Sequence, residues 1–181
     1  MSIIETSNTV SGVLNLSPHT THNLFLTDAL SDAGIALTAT ATGGACGISR
    51  TAGTSLTLVG EVTSSNAKTD KATFLINLPG SYVAGSNFTV AVNCLAAGTG
   101  TLTAVSTTMT CNVYTEIAGV EALLTVSAAQ PILITPSTLT FTVTGVAGMV
   151  AGSQVAIEFA MLITTSSGGN TGTINSVSYF A

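Results

Sequence analysis

Two histidines stand three apart in His19-Thr20-Thr21-His22. On a helix, that spacing could present both imidazoles to one metal ion. Here Pro18 and the flanking threonines favour extended chain, where residues three apart face opposite sides. No neighbouring cysteine or carboxylate completes a ligand set. The eight carboxylates, Glu5, Asp28, Asp32, Glu61, Asp70, Glu116, Glu121 and Glu158, are scattered. Glycosidic chemistry needs two of them facing each other a few ångströms apart, and no spacing marks such a pair. Glu158 alternates out of phase with Val155, Ile157 and Phe159, which predicts a strand position facing solvent or an interface. Cys46, Cys94 and Cys111 form no C-x-x-C, so neither a zinc site nor a redox motif is signalled. Cys94 and Cys111 fall on apolar strand positions and read as small buried hydrophobes. The glycine-rich run 167–172 lacks the lysine and the following helix of a phosphate loop. No G-x-S-x-G elbow supports a serine triad. With no tryptophan and only Tyr82, Tyr114 and Tyr179, a sugar-stacking platform is thinly supplied. The sequence therefore marks no catalytic, cofactor-binding or metal site, and an enzyme is not expected.

The elements around these residues are strands. Phe74, Ile76 and Leu78 alternate with Leu75 and Asn77; Pro79-Gly80 breaks the run; then Phe88, Val90, Val92 and Cys94 alternate with Thr89, Ala91 and Asn93. This is the period-2 pattern of strands with one buried face. Further strands are expected at 55–62, 105–114, 131–135, 139–144, 155–164 and 174–180. In the last of these, Ile174, Ser176, Ser178 and Phe180 would share one face, and Val177 and Tyr179 the other. Weaker signals suggest strands at 12–16 and 35–40 and a helical turn at 27–34 capped by Thr27. Residues 43–50 read as a loop carrying Cys46 and Arg50, 64–71 as a polar loop, and 166–172 as a flexible loop. Residues 117–126 are ambiguous between a short helix and a strand. The expected fold is an all-β antiparallel sandwich, jelly-roll-like, of about eight strands. Residues 1–50 would form an irregular N-terminal arm and 51–181 the sandwich.

The sandwich has an internal repeat. Thr73-Phe74 returns as Thr140-Phe141, and Val83-Ala84-Gly85-Ser86 returns as Val150-Ala151-Gly152-Ser153, both at an offset of 67. Apolar positions match without a gap, Ile76 with Val143 and Val90 with Ile157 among them. Two related halves of one sandwich are predicted, and the connection 79–85 reads as a shape-setting crossover.

Composition excludes several classes. Charged residues are 6% of the chain, against about 25% in typical soluble domains. Arg50, Lys68 and Lys71 are its three cations and the net charge is −5. A nucleic-acid binder needs several phosphate-neutralising cations, so that class is excluded. The most apolar stretch, 143–163, contains Gln154 and Glu158 and alternates at period 2, unlike a spanning helix of about 20 apolar residues. The first residues lack the basic and apolar regions of a secretory signal, so the Asn87-Phe88-Thr89 sequon has no expected use. A surface built mainly from Thr, Ser, Asn and Gly suits a protein packed against copies or partners.

The pattern Phe74, Ile76, Leu78, Pro79, Gly80, Tyr82 and Gly85, followed by Val90 and Val92, resembles one in small β-sandwich structural proteins of tailed bacteriophages. Ile134-Thr135-Pro136 leading to Val150-Ala151-Gly152-Ser153 and a glycine-rich loop before the last strand is similar too. The resemblance spans about residues 55–181. It implies a virion protein of the capsid decoration, or cement, type, assembled in the host cytoplasm and placed on the outer capsid surface. Its partners would be the major capsid protein and itself, as a homotrimer, with no nucleic acid, membrane or cofactor. A tail-fibre or receptor-binding module and a small jelly-roll capsid subunit are the alternatives.

Overall fold

A computed structural model describes residues 21–52, 55–60, 67–98, 107–117, 120–164 and 170–181. Among these residues eleven strands follow in order: β1 (Thr21–Leu24), β2 (Gly47–Thr51), β3 (Ser55–Val59), β4 (Lys68–Asn77), β5 (Phe88–Gly98), β6 (Thr107–Ile117), β7 (Val120–Val126), β8 (Gln130–Pro131), β9 (Ser137–Val143), β10 (Gln154–Ile163) and β11 (Asn170–Phe180). They form two antiparallel sheets. A six-stranded sheet runs β2-β3-β11-β5-β9 with β1 also on β11; a five-stranded sheet runs β4-β10-β6-β7 with β8 also on β6. The expected all-β, jelly-roll-like sandwich is what forms.

The core is the set of in-facing side chains from both sheets. Val90, Val92 and Phe141 of the six-stranded sheet meet Phe74, Ile157 and Phe159 of the five-stranded one, all buried. Phe74 and Phe159 pack edge-to-face with ring centroids 6.0 Å apart. Burying each such ring stabilises the fold by about 1.5–3 kcal/mol. Cys46, Cys94 and Cys111 are buried and free, with no disulfide. Burial pushes the three thiols up to about 12, 11 and 12 respectively.

The sequence repeat is a structural one. β4 and β5 lie in different sheets, and so do β9 and β10, so each connection crosses between the sheets. The first strand of each unit pairs with the second strand of the other. Phe74 stands opposite Ile157 and Ile76 opposite Val155. Applying the offset of 67 predicts Phe141 opposite Val90 and Val143 opposite Phe88, and those are the pairs observed. The connections match too. Tyr82 N–H donates to Pro79 O at 2.9 Å and Met149 N–H to Val146 O at 2.9 Å; Ser86 N–H donates to Val83 O and Ser153 N–H to Val150 O, both at 3.0 Å. Gly85 and Gly152 both take positive φ, 72° and 84°, where a side chain would be strained.

Several local expectations are corrected. The boundary at residue 50 falls inside β2, and Arg50 lies on that strand rather than in a loop. Residues 21–50 are part of the sandwich: β1 pairs with β11, β2 with β3, and Leu26, Ala29 and Cys46 enter the core. The helical turn is a 3-10 turn at Leu26–Asp28 preceded by Phe25, so Thr27 sits inside it and does not cap it. Residues 35–40 form no strand. They belong to a strap, residues 29–46, that closes the free edge of β4 by backbone pairing of Leu30 with Thr73 and of Gly44 and Cys46 with Lys71. Lys68 and Lys71, expected in a polar loop, lie on β4. The strand expected at 131–135 shrinks to Gln130–Pro131, and the ambiguous 117–126 contains β7. Asn170, Thr171 and Gly172 begin β11, while 165–169 lie outside the described residues, as does the strand suggested at 12–16. In β11 the register shifts between Ile174 and Ser176. This one-residue bulge turns Ile174, Val177 and Tyr179 all toward the core, because an extra residue restarts the alternation. Among the described residues no helix is long and apolar enough to cross a membrane.

Candidate functional site

The out-facing side of the five-stranded sheet carries a group of converging charged side chains. Its rows follow from the strand register. Leu75, Ala156, Tyr114 and Leu123 lie side by side across β4, β10, β6 and β7; the next row is Thr73, Glu158, Asn112 and Val126. The central strand supplies small residues, Ala156 and Ala160, on either side of Glu158. A trough therefore runs over β10, with taller side chains on the flanking strands. It holds a hollow of about 270 Å³ lined by Asp32, Lys71, Thr73, Tyr114, Glu121, Ala156 and Glu158.

Glu158 forms its floor. Expected to face solvent or an interface, the residue lies on the outer face of the sheet but is covered, at 2% exposed. A carboxylate is almost never this buried without partners, and Glu158 is well supplied with them. Asn112 Nδ2 donates to Oε1 at 2.8 Å, and Lys71 Nζ lies 3.1 Å from Oε2. The same ammonium is 3.3 Å from Asp32 Oδ2 on the strap. Asp32 and Glu158, 126 residues apart in sequence, thus share one lysine. Hydrogen bonding with Glu158 has the largest effect on the Asp32 carboxyl and lowers it; burial, next in size, opposes this, and the Lys71 ammonium adds to the lowering, so the carboxyl stays below its ordinary value. Burial opposes the charge on Lys71, but hydrogen bonds and attraction from Glu158 and Asp32 outweigh it and push the ammonium up. Burial, and then the Glu158 charge, push the Tyr114 phenol up. Asn112 Oδ1 is buried with no hydrogen-bond partner.

Around this polar floor the rim is apolar and open: Leu75 is 54% exposed, Leu123 51% and Val126 62%. The opposite outer face, on the six-stranded sheet, is built differently. Thr138, Thr140 and Thr142 of β9, Thr89, Ala91 and Asn93 of β5, and Ser178 and Thr173 of β11 stand in adjacent rows. Among its described residues that face carries no charged side chain.

Sequence reasoning missed the trough because its parts are far apart. Asp32 lies in a segment expected to be an arm and Lys71 in one expected to be a loop. The readable signal was Ala156 and Ala160 flanking an acid on an otherwise large-residue strand. The histidine pair is not brought together as a site: His19 lies outside the described residues, and His22 stacks on Tyr179 with ring centroids 4.9 Å apart. No group of three or more potential metal ligands occurs among the described residues.

No family model and no curated protein matches this sequence. Solved structures do match in fold. A xylan-binding module, CBM15, superposes with a TM-score of 0.52 at 14% identity over 89% of this chain and 95% of that one. Xylanase10C from Cellvibrio japonicus in complex with xylopentaose superposes with a TM-score of 0.51 at 14% identity over 88% of this chain and 28% of that one. The chain shares the β-sandwich architecture of these proteins.

Proposed function

We propose that this chain is a non-catalytic virion structural module of the capsid-decoration type, acting through contacts with copies of itself and with a capsid protein. The supporting observation is the distribution of charge. The chain has three cations and eight carboxylates in 181 residues, and one broad sheet face has none among its described residues. A protein free in solution at high concentration relies on surface charge to stay dispersed; one held in a lattice does not. Many weak contacts to a regular shell sum to stable attachment. The phage-like pattern from Phe74 to Val92 adds to this reading.

Imaging of purified virions tests it. The expected result is density for a sandwich of this size on the head, in a copy number set by the shell symmetry, and a trimer mass in solution. Absence of the protein from virions would remove the assignment. Residues 1–20 are the segment we assign to contact with the shell, since 21–50 are built into the sandwich. A chain lacking residues 2–20 should fold and fail to decorate shells; full decoration by that chain would remove the arm's role.

A receptor-binding module for a host glycan is the second reading. The observation in its favour is the trough, where Tyr114, three carboxylates and a lysine line a solvent-open hollow. Binding of an isolated oligosaccharide, absent from head density, would select it.

A further inference from the structure

We infer that the trough over β10 is a docking site for an extended segment of a partner protein that presents one basic side chain, an arginine for preference, between apolar neighbours. This rests on the assembly reading above and names the chemistry of the contact.

Three observations converge. The first is charge. Asp32, Glu158 and Glu121 line the hollow with a single ammonium, Lys71. One acid is balanced and the excess remains negative, so a cationic group is attracted and an anionic one is repelled. The second is the hydrogen-bond inventory. Glu158 receives Asn112 Nδ2 at one oxygen and the Lys71 ammonium at the other, and Asp32 receives the same ammonium; a carboxylate has about four acceptor positions, so both can accept more bonds. A guanidinium brings five donors and no acceptor, which matches a site short of donors. The third is the rim. Leu75, Leu123 and Val126 stand open on either side of the trough, on an outer sheet face that covers none of them. They offer apolar contact to residues flanking the basic side chain, as in interfaces where a buried anchor is ringed by apolar contacts. The neutral outer face of the six-stranded sheet has none of these features, which confines the site to one side of the molecule.

The test uses the full chain and two synthetic peptides, Gly-Leu-Arg-Leu-Gly and the same peptide with citrulline in place of arginine. Citrulline keeps the shape and loses the charge. Titration followed by amide chemical shifts should move Tyr114, Leu123, Leu75 and Thr73. The arginine peptide should bind about ten-fold more tightly, the worth of a charge-assisted hydrogen bond. Glu121→Gln and Asp32→Asn, both at exposed side chains, should each weaken it about three-fold, and added salt should weaken it further. Thr140→Ala on the other face should change nothing. Equal binding of both peptides overturns the inference. So does insensitivity to both charge substitutions, or preferential binding of a neutral oligosaccharide such as xylopentaose at the same residues. The assembly reading is tested apart from this, by virion imaging. Head density from a protein that ignores the arginine peptide overturns only the docking inference.

Discussion

The two outer faces of this sandwich are built from the same kind of strand and differ in what they hold. On the six-stranded sheet, short hydroxyl and amide side chains stand in rows. Asn93 Nδ2 lies 3.4 Å from Thr138 Oγ1, Asn175 Nδ2 donates to Asn93 Oδ1 at 3.0 Å, and Thr171 Oγ1 donates to Ala97 O at 3.3 Å. Such contacts lie at the surface and each contributes little. On the five-stranded sheet a carboxylate is buried, held by an amide and an ammonium, and surrounded by exposed leucine and valine. Burying a charge is costly unless its partners are well placed, so the second face concentrates both energetic risk and recognition chemistry. A protein with so few charges has put Asp32, Lys71, Glu121 and Glu158 around one hollow.

The largest effect that separates the faces is on stability. Lys71→Met leaves Glu158 buried without its ammonium. Removing one partner of a buried pair costs about 3–5 kcal/mol; Lys71 is one-third exposed, so water recovers part of this and about 2–3 kcal/mol is expected. That corresponds to a fall in Tm of about 5–10 °C for a chain of this size, measurable by calorimetry. The double variant Lys71→Met with Glu158→Met removes both charges and should regain most of the loss. Thr140→Val on the neutral face should stay within about 0.5 kcal/mol of the parent. A similar loss from Thr140→Val and Lys71→Met would erase the energetic distinction between the faces.

The central strands of both sheets were largely legible in the sequence and the trough was not. Alternation in 73–94 and 139–144 and the offset of 67 fix β4, β5, β9 and β10 and their mutual crossing, because side-chain period and burial are local properties. The same logic places Met109, Cys111 and Val113 in the core. It fails at β11, where the bulge near Asn175 changes the phase through a single residue with no sequence mark. It fails also at residues 21–50. Their apolar residues are sparse and aperiodic, and they join the fold by edge pairing to β4 and β11, a tertiary event that periodicity does not encode. The trough depends on the second failure being corrected. Asp32 comes from the strap, Lys71 from the start of β4, and Glu158 is covered only because these two approach it.

The next effect is on the trough's shape. Ala156→Leu adds three carbons to its floor beside Tyr114 and Leu75. The side chain points away from the core, so the fold should tolerate it at a cost of about 1 kcal/mol. Binding of the arginine peptide should fall by about ten-fold or more as the hollow fills, with no change in oligomer mass. Ala91→Leu at an outer position of β5 is the matched control, with peptide binding unchanged. Loss of binding in both variants would mean that the two faces do not differ in recognition.

The smallest effect is the response of stability to pH, and its sign follows from Asp32 and Lys71. The folded state holds Asp32 below its ordinary value. Its contribution is therefore present above the unfolded-state pKa of about 4 and is lost as pH falls through the lower folded value. Lys71 is pushed above its ordinary value. Its contribution is present below the unfolded-state pKa of about 10.4 and is lost as pH rises through the higher folded value. The link between strap and sheet is thus strongest between about pH 5 and 10. Denaturant unfolding at pH 7 and pH 3 should show a smaller loss of stability for Asp32→Asn than for the parent, since the variant has no carboxyl at 32 to protonate. Thr140→Val, on the neutral face, should lose as much as the parent. If Asp32→Asn and Thr140→Val respond alike, the acid sensitivity arises elsewhere, and the ion pair that ties the strap to the charged face contributes nothing measurable to folding.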